Sequence, residues 1–243
     1  MRRFADLQLR VSLKDMVHTQ KMVKKALELG YNLIGIPFPP AVNQEQIRQL
    51  KHICYNTGVD FVSRVNFSPN SSNELLSNLR RYRKKFEIIG VRCNRKEVAR
   101  QAAKDRRVDI INFSATNIRQ RFFDEQEAEL ASHSLSSFEI ELAPLLQLTS
   151  VPRIRILSFL RKEKSIAERA NVPITLSSGA TTEQLMRNPH DCAAIATLFD
   201  LSSSSALKAL AENPLEIVDR NRKKLSHNYV APGIRFLGRK NGD

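Results

Sequence analysis

Short apolar runs alternate with amphipathic segments along most of this chain, and that alternation constrains the fold more than any other feature. Seven runs of six to nine residues are separated by stretches in which apolar residues recur with the 3.6-residue period of a helix. The runs cover residues 4–11, 32–38, 59–67, 87–94, 108–114, 137–142 and 172–177. Helices are expected near 14–29, 43–56, 73–85, 96–105, 124–134 and 153–170, and then only helices, near 189–199 and 203–224. This order predicts a parallel sheet covered by helices.

The choice between a closed barrel and an open sheet depends on motifs. No G-x-G-x-x-G follows the first apolar run and no G-x-x-x-x-G-K-[ST] occurs, so the nucleotide fingerprints of open sheets are missing. A length of 243 residues suits one α/β barrel. We therefore predict a TIM-barrel-like α/β fold with about seven parallel strands and surrounding helices, the eighth strand being degenerate or absent. A single domain is expected over residues 1–243, with a basic, flexible tail from about 226.

Polar residues at the strand ends define what such a barrel could do. Alternation places Asp6, Gln8 and Arg10 on one face of the first strand, and Glu139 and Glu141 on one face of the sixth. Facing inward, these side chains are expected to form a compensated polar network at the barrel mouth, because buried charges must be paired. The two glutamates could instead act as a general acid and base, although no electrophile or metal accompanies them.

Metal and thiol chemistry find little support in the sequence. The five histidines lie on predicted helices or at their ends rather than in closely spaced pairs. Cys54, Cys93 and Cys192 are far apart and fit no C-x-x-C motif, so they are expected to be reduced and structural. The segment Ser177–Ala180 (SSGA) could cradle a phosphate or simply form a turn that leads into a helix cap. With no signal peptide and no apolar run long enough to cross a bilayer, an intracellular protein without a membrane partner is expected.

The net charge of +14 is concentrated in two regions. Residues 80–121 contain fourteen Lys and Arg against four Asp and Glu, and residues 218–243 contain seven against two. The remainder, with 18 basic and 19 acidic residues, is nearly neutral. Regional basicity indicates a polyanionic partner, with RNA or DNA favoured over a membrane. The chain has no Trp and four Tyr, so backbone or shape recognition is favoured over base stacking.

Several segments resemble one known family. They are FADLQLR at the start, VDIINFSATNIRQRFFDEQEAELA followed by FEIELAPLL in the middle, then ITLSSGA, RNPHDCAAIATLF and ENPLEIVDRNR. Together they resemble archaeal ribonuclease P protein component 3, which is related to the eukaryotic thirty-kilodalton subunit of ribonuclease P. The resemblance implies a fold related to the PHP phosphoesterases. It also implies a role in removing the 5′ leader of precursor tRNA, with the catalytic centre in the RNA.

The same resemblance implies partners and a departure from enzyme relatives. Expected partners are the ribonuclease P RNA, ribonuclease P protein component 2 in a heterotetramer, the other protein subunits and, through the holoenzyme, precursor tRNA. Mg²⁺ is expected to serve the RNA, and no cofactor or metal is expected on the protein. A PHP enzyme would carry H-x-H at the end of its first strand, whereas this chain has Asp6-Leu7-Gln8. Gln8 stands where family members often have His.

The leading expectation is thus a cytoplasmic, non-catalytic RNA-binding subunit of an archaeal type of ribonuclease P, with no catalytic residue of its own. The helix that ends with the basic residues 80–85 is adjacent in a barrel to the strand and helix that carry the basic residues 92–107, so their charges are expected to form one outer patch that meets phosphates. The expected RNA contacts are Arg64, Arg92, Arg95, Lys96, Arg106, Arg107, Arg119 and Arg121. A PHP-like metal-dependent phosphoesterase is the alternative, and a scaffold whose basic patch meets an acidic protein is a third possibility.

Overall fold

A computed structural model describes residues 2–226, 229–231 and 234–235 of the chain. Its strands are β1 Phe4–Asp6, β2 Tyr31–Phe38, β3 Asp60–Phe67, β4 Ile88–Arg92, β5 Ile110–Asn112, β6 Ser137–Glu141, β7 Ile174–Ser177, β8 Tyr229–Ala231 and β9 Ile234–Arg235. Its helices are α1 Met16–Glu28, α2 Gln44–Thr57, α3 Ser72–Tyr82, α4 Lys96–Lys104, α5 Glu125–Ser134, α6 Ala143–Gln147, α7 Ser150–Arg169, α8 Pro189–Ala196, α9 Ser203–Leu210 and α10 Glu212–Leu225. Part of the basic tail predicted from about 226 lies outside the described residues.

Strands β1 to β7 form one parallel sheet in sequence order, and the sheet curls into a nearly closed barrel. The predicted TIM-barrel-like fold is confirmed. Two bonds outside the strand ladder connect its first and last strands: the backbone N–H of Ser178 donates to Asp6 Oδ1 at 3.0 Å, and that of Arg10 donates to the Ala180 carbonyl at 2.9 Å. The region after β1 thus seals the seam that an eighth strand would otherwise fill.

Two apolar cores stabilise the barrel, one on each side of its wall. The larger lies between the sheet and the surrounding helices. The smaller fills the interior at the amino-terminal end of the strands, where side chains such as Leu7, Leu33 and Val62 meet Ile217 and Val218 of α10. Helix α10 therefore closes that end of the barrel, while the opposite end, where the strands finish, forms the mouth.

The elements differ from the prediction in several places, among them the unpredicted antiparallel strand pair β8–β9 after α10. Strand β1 ends at Asp6 rather than residue 11, because the following residues run along the rim and bond to β2 and to the β7 side. The helix predicted over 203–224 is two helices separated at Ala211. Pro214 explains the break, since a proline lacks the N–H that a continuous helix would need there and is tolerated in a first turn. The short helix α6 was not predicted.

Polar N-caps fix where several helices begin at the mouth. The side chains of Asn43, Ser71 and Asp124 each accept a backbone N–H from the first turn of α2, α3 and α5, which satisfies donors that have no partner inside a helix. In the part of the chain that the structure describes, no helix is both long and apolar enough to cross a membrane.

Candidate nucleic-acid interface

An ion pair between Arg64 and Glu139 occupies the centre of the barrel. Arg64 Nη1 donates to Glu139 Oε1 at 2.6 Å and Nη2 donates to Oε2 at 2.7 Å. The two side chains are 1% and 0% exposed. Burial opposes ionisation of Glu139, but the Arg64 guanidinium and the hydrogen bonds to the carboxylate outweigh it and leave the pKa of Glu139 below its usual value.

Gly90 on β4 makes room for this buried guanidinium. A Cβ at that position would lie 2.4 Å from Asn66 Oδ1 and 2.8 Å from Arg64 Nη2. Both distances are shorter than van der Waals contact allows. Glycine, which has no side chain, is therefore required where the Arg64 guanidinium packs against β4.

A second cluster surrounds Glu141 nearer the mouth. Arg10 Nη2 donates to Glu141 Oε1 at 2.7 Å and to Oε2 at 2.6 Å, and Arg92 Nη2 lies 3.5 Å from Oε1. Gln8 and Asn112 also donate amide hydrogens to Oε1, at 3.3 and 3.2 Å. The Glu141 side chain is 7% exposed, whereas Arg10 and Arg92 are 31% and 39% exposed. The arginines therefore form the solvent-facing part of the cluster.

Amide side chains join the two clusters into one network. Asn66 Oδ1 accepts from Arg64 Nε at 2.8 Å, and Asn66 Nδ2 donates to Gln8 Oε1 at 3.0 Å. Asn112 Nδ2 donates to both Glu139 and Glu141, at 3.1 and 3.2 Å. The structure thus brings together the predicted mouth residues Gln8, Arg10, Glu139 and Glu141.

The remaining predicted member of the network, Asp6, serves the seam of the barrel. Its carboxyl accepts from the Ser178 hydroxyl at 2.5 Å and from the backbone N–H groups of Ser178 and Gln8. Burial raises the pKa of Asp6, and those hydrogen bonds counteract part of the rise. No arginine of the described chain pairs with it, so its contribution is to join β1 to the segment after β7.

This arrangement of paired side chains does not provide the groups that a hydrolase needs. Glu139 and Glu141 already accept from arginines, so neither offers a free base to a substrate proton. Among the described residues there is no group of three His, Cys, Asp or Glu side chains arranged to hold a metal. The geometry therefore does not favour the alternative of a PHP-like phosphoesterase.

A different set of charges lies at the amino-terminal end of the barrel. Arg222 of α10 contacts both oxygens of Asp60, at 2.8 and 2.9 Å, and Glu87 at 2.8 Å. Asp109 accepts from Arg83 at 2.5 Å and from Arg220 at 3.2 Å. Arg3 also contacts Asp60, at 3.3 Å. All three carboxylates are thus paired with arginines, of which Arg220 and Arg222 hold α10 against the amino-terminal ends of the strands.

Exposed cations surround these paired charges, and we refer to them as the basal surface. None forms a salt bridge with a described residue. Partial burial and the neighbouring cations Arg220, Arg83 and Arg106 lower the pKa of Lys224, while the carboxylate of Asp109 opposes this effect. Lys224 therefore lies close to these three arginines. The members of the basal surface are Arg80, Arg81, Lys84, Lys85, Lys104, Arg106, Lys223 and Lys224.

The expected single basic patch is therefore divided between two ends of the barrel. Helix α4 starts at the mouth and ends at the opposite side, because it connects two parallel strands. Arg95 and Lys96 stand at its beginning, and Arg106 and Arg107 follow its end. Nine helical residues separate these positions by roughly 13 Å.

The predicted RNA contacts differ in accessibility. Arg95, Lys96, Arg106 and Arg119 are exposed. Arg107 is partly exposed and is paired with Asp105, its Nη2 lying 2.6 Å from Oδ2. The half-exposed Arg92 belongs to the Glu141 cluster described above.

Two of the predicted contacts need correction, because their side chains are inside the protein. Arg64 is the buried partner of Glu139. Arg121 is 3% exposed, pairs through Nε and Nη2 with the buried carboxylate of Glu163, and donates to the Ser114 carbonyl at 2.9 Å. As placed, neither reaches a phosphate at the surface.

Residues near the ends of α3 and α10 complete the basal surface, which the sequence did not identify as one region. Arg80, Arg81, Lys84 and Lys85 belong to the first of the two basic regions and Lys223 and Lys224 to the second, so nothing in the sequence indicates that they meet. One feature of the sequence does indicate that α10 packs against the barrel. Ile217 and Val218 are apolar residues within an otherwise charged helix, and such residues face a core.

Comparisons with known proteins agree with this architecture. A family model described as RNase P subunit p30 matches residues 3–226. Ribonuclease P protein component 3 of Methanocaldococcus jannaschii is 23% identical over 222 residues, covering 91% of this chain and 95% of that protein. The protein of the same name from Methanosarcina barkeri is 31% identical over 157 residues, which cover 65% of this chain. The same residues cover 64% of that relative, which is less than two thirds of its length.

Solved structures show the same fold. A chain of an archaeal ribonuclease P bound to mature tRNA superposes with a TM-score of 0.84 at 21% identity, covering 98% of this chain and 100% of that one. A putative prolidase from Bifidobacterium longum gives a TM-score of 0.54 at 11% identity, covering 91% of this chain and 70% of the prolidase. The resemblance predicted from the sequence motifs is confirmed. With the family model matching nearly its whole length, the chain belongs to the RNase P subunit p30 family, a family of protein subunits of ribonuclease P.

Proposed function

We propose that this subunit binds the RNA of ribonuclease P mainly through the basal surface, with a smaller contribution from exposed cations at the mouth. The observation that carries the proposal is the basal surface itself: eight exposed cations around an inner layer whose carboxylates are already paired. Fixed Lys and Arg side chains attract phosphates and release counterions when RNA binds. Arg95, Lys96 and Arg119 supply the contribution at the mouth.

In this proposal the isolated chain is not catalytic. The mouth carboxylates are engaged by arginines, and their role is to hold the barrel together. Mg²⁺ belongs to the RNA, whose phosphates are its usual ligands together with water. The protein's contribution to cleavage of precursor tRNA is then to stabilise the RNA's active fold.

The proposed assembly includes further components. We expect ribonuclease P protein component 2 to pair with this chain in a heterotetramer, other protein subunits to join it, and precursor tRNA to be reached through the holoenzyme in the cytoplasm. The solved archaeal ribonuclease P that contains a similarly folded chain includes mature tRNA, which supports tRNA as a partner of the assembly.

The test is recovery of RNA from cell extract on the purified full-length chain, with sequencing of what is retained. The parent protein should retain one abundant RNA together with precursor tRNA. Charge reversal in the basal surface, Lys84→Glu with Arg106→Glu, should reduce recovery of that RNA at least tenfold. Lys21→Glu with Lys24→Glu on α1 imposes the same charge change on exposed residues of the barrel side and serves as the matched control.

Equal recovery by the basal variant and the control would contradict the proposed surface. Retention of an acidic protein without that RNA would instead support the scaffold alternative.

A further inference from the structure

The barrel mouth contains a cavity that the RNA-binding surface does not account for. It has a volume of about 280 Å³ and is lined by polar side chains, including Arg10, Arg92, Asn112 and Glu141. The outer layer of the mouth therefore presents two guanidiniums and one carboxylate to this space. Its local charge is positive, and Arg95 and Lys96 at the start of α4 add to it.

Both guanidiniums retain donors that are free for a ligand. Arg10 contacts Glu141 through Nη2 alone, and Arg92 approaches it through Nη2 at 3.5 Å. A guanidinium has five N–H donors, so most of those on each arginine have no partner within the described chain. Two arginines converging in this way match the oxygens of a phosphate group.

A residue that lines the same cavity also carries a buried acceptor without a partner, which indicates a second property of the ligand. Asn112 is 5% exposed, and its Oδ1 has no hydrogen-bond partner among the described residues. The orientation of the amide is fixed by its neighbours, because Nδ2 must donate to the carboxylates of Glu139 and Glu141. The unpartnered Oδ1 requires a donor, which a sugar hydroxyl supplies.

An apolar compartment adjoins the polar one. A cavity of about 270 Å³ shares Arg10, Arg92 and Glu141 with the first, and side chains such as Phe113, Leu145 and Leu148 form much of its remaining wall. The mouth therefore offers anion donors, a hydroxyl acceptor and an apolar wall in adjacent positions. A ribonucleotide combines the three corresponding groups: phosphate, ribose and base.

We propose that the barrel mouth binds a ribonucleotide, with its phosphate between Arg10 and Arg92, a ribose hydroxyl toward Asn112 and its base in the apolar compartment. The nucleotide could be free or part of an RNA chain, since both carry the same groups. This site is distinct from the basal surface and lies at the other end of the barrel.

The test is a titration of the full-length chain with uridine 5′-monophosphate, followed through backbone amide chemical shifts. Saturable shifts are expected at Arg92, Asn112 and Glu141. Arg92→Gln should weaken binding at least tenfold, and its side chain makes only one long contact, so the variant should still fold. Lys24→Gln removes the same charge from an exposed position on α1, outside both proposed binding sites, and should bind like the parent.

Further titrations test which group of the ligand is bound and whether the ligand is a free nucleotide or an RNA chain. Deoxyuridine 5′-monophosphate should bind several-fold more weakly than the ribonucleotide, and inorganic phosphate should shift the arginine region alone. Displacement of the nucleotide by a short oligouridine would assign the site to an RNA chain, and binding of the mononucleotide alone would assign it to a free nucleotide.

Absence of saturable shifts at the mouth, or an Arg92→Gln variant that binds like the parent, would overturn the proposal. Either result leaves the RNA-binding role of the basal surface untouched, because that role is tested with variants of Lys84 and Arg106.

Discussion

Arg64 and Glu139 come from strands that are 75 residues apart in sequence, yet they form a two-point ion pair in the centre of the barrel. Both are almost fully buried. A buried pair of this kind contributes little relative to an apolar core, but removal of one partner leaves an uncompensated charge. Each residue of the pair is therefore needed for stability only because the other is present.

The first prediction follows from that requirement. Arg64→Met should lower the free energy of unfolding by about 3–5 kcal/mol, because the Glu139 carboxylate remains buried without its partner. The double variant Arg64→Met with Glu139→Met should recover much of this loss, since no buried charge remains. Urea unfolding of the three proteins measures both effects. A double variant less stable than the single one would contradict the argument.

Gly90→Ala tests the space that the arginine needs. The new methyl group would collide with Asn66 Oδ1 and Arg64 Nη2, so we expect a cost of about 1–3 kcal/mol. In the background that lacks both Arg64 and Glu139 the cost should be smaller, because the crowding guanidinium is gone. Unfolding curves of the four proteins form a double-mutant cycle. A cost that is the same in both backgrounds would place the strain elsewhere.

Glu127 on α5 predicts a pH dependence of stability. Its side chain is buried and neither carboxyl oxygen has a described partner, and burial raises its pKa from 4.5 to about 8. Arg100 and Lys96 lower this pKa, while Asp124 and Glu163 raise it further. The folded state therefore binds a proton that the unfolded state releases between about pH 4.5 and 8. Its contribution to stability is complete below pH 4.5 and is progressively lost as the pH rises through that window.

Glu127→Gln should therefore raise the free energy of unfolding by a few kcal/mol at pH 8 and change it little at pH 4.5. Thermal or urea unfolding across this range would show the difference. Glu129→Gln is the matched control, because Glu129 is exposed on the same helix and the variant should follow the parent at both pH values. Parallel pH profiles for Glu127→Gln and the parent would disprove the assignment.

Salt dependence provides a quantitative test of the basal surface. Neutralising Lys84 and Arg106 together should weaken RNA binding and reduce the slope of log K against log salt by roughly one for each phosphate contact removed. Lys21→Gln with Lys24→Gln should leave the slope unchanged. Filter binding or fluorescence anisotropy over a range of KCl concentrations measures the slopes. An unchanged slope for the basal variant would show that these cations do not meet phosphates.

Arg119 and Arg121 are two residues apart and should behave in opposite ways. Arg121→Met leaves the Glu163 carboxylate buried without a partner, so we expect a loss of about 3–5 kcal/mol in unfolding free energy. Arg119→Met changes an exposed side chain, so stability should change by less than about 0.5 kcal/mol while RNA affinity falls. Measuring stability and RNA binding of both variants at a temperature where each is folded compares them directly. Equal losses of stability would refute the distinction.

The strands and most helices could be predicted because their periodicity is local. Each apolar run contains its own pattern. The helix break at Ala211 does not interrupt the periodicity, and only Pro214, which is tolerated in a first turn, marks it. Whether a given arginine is inside or outside is decided at long range. Arg64 is buried because Glu139 pairs with it and Gly90 leaves space for it. Arg121 is buried because Glu163 pairs with it. These partners are 26 to 75 residues away in the sequence.

The candidate interface was predictable in composition but not in shape. The excess of cations in residues 80–121 is visible in the sequence, but their division between two ends depends on the direction of α4 between its neighbouring strands. The basal surface also combines α3, α4 and α10, and only the folded barrel brings those three segments to one end.

Helix α10 both fills the open end of the barrel with Ile217 and Val218 and carries Lys223 and Lys224 of the basal surface. It is also synthesised after all seven strands of the barrel. During translation, then, the nascent chain can complete the basal surface, the face proposed to bind RNA, only when its interior is sealed. Closure of the barrel interior and completion of the basal surface are thereby one late docking event, that of α10.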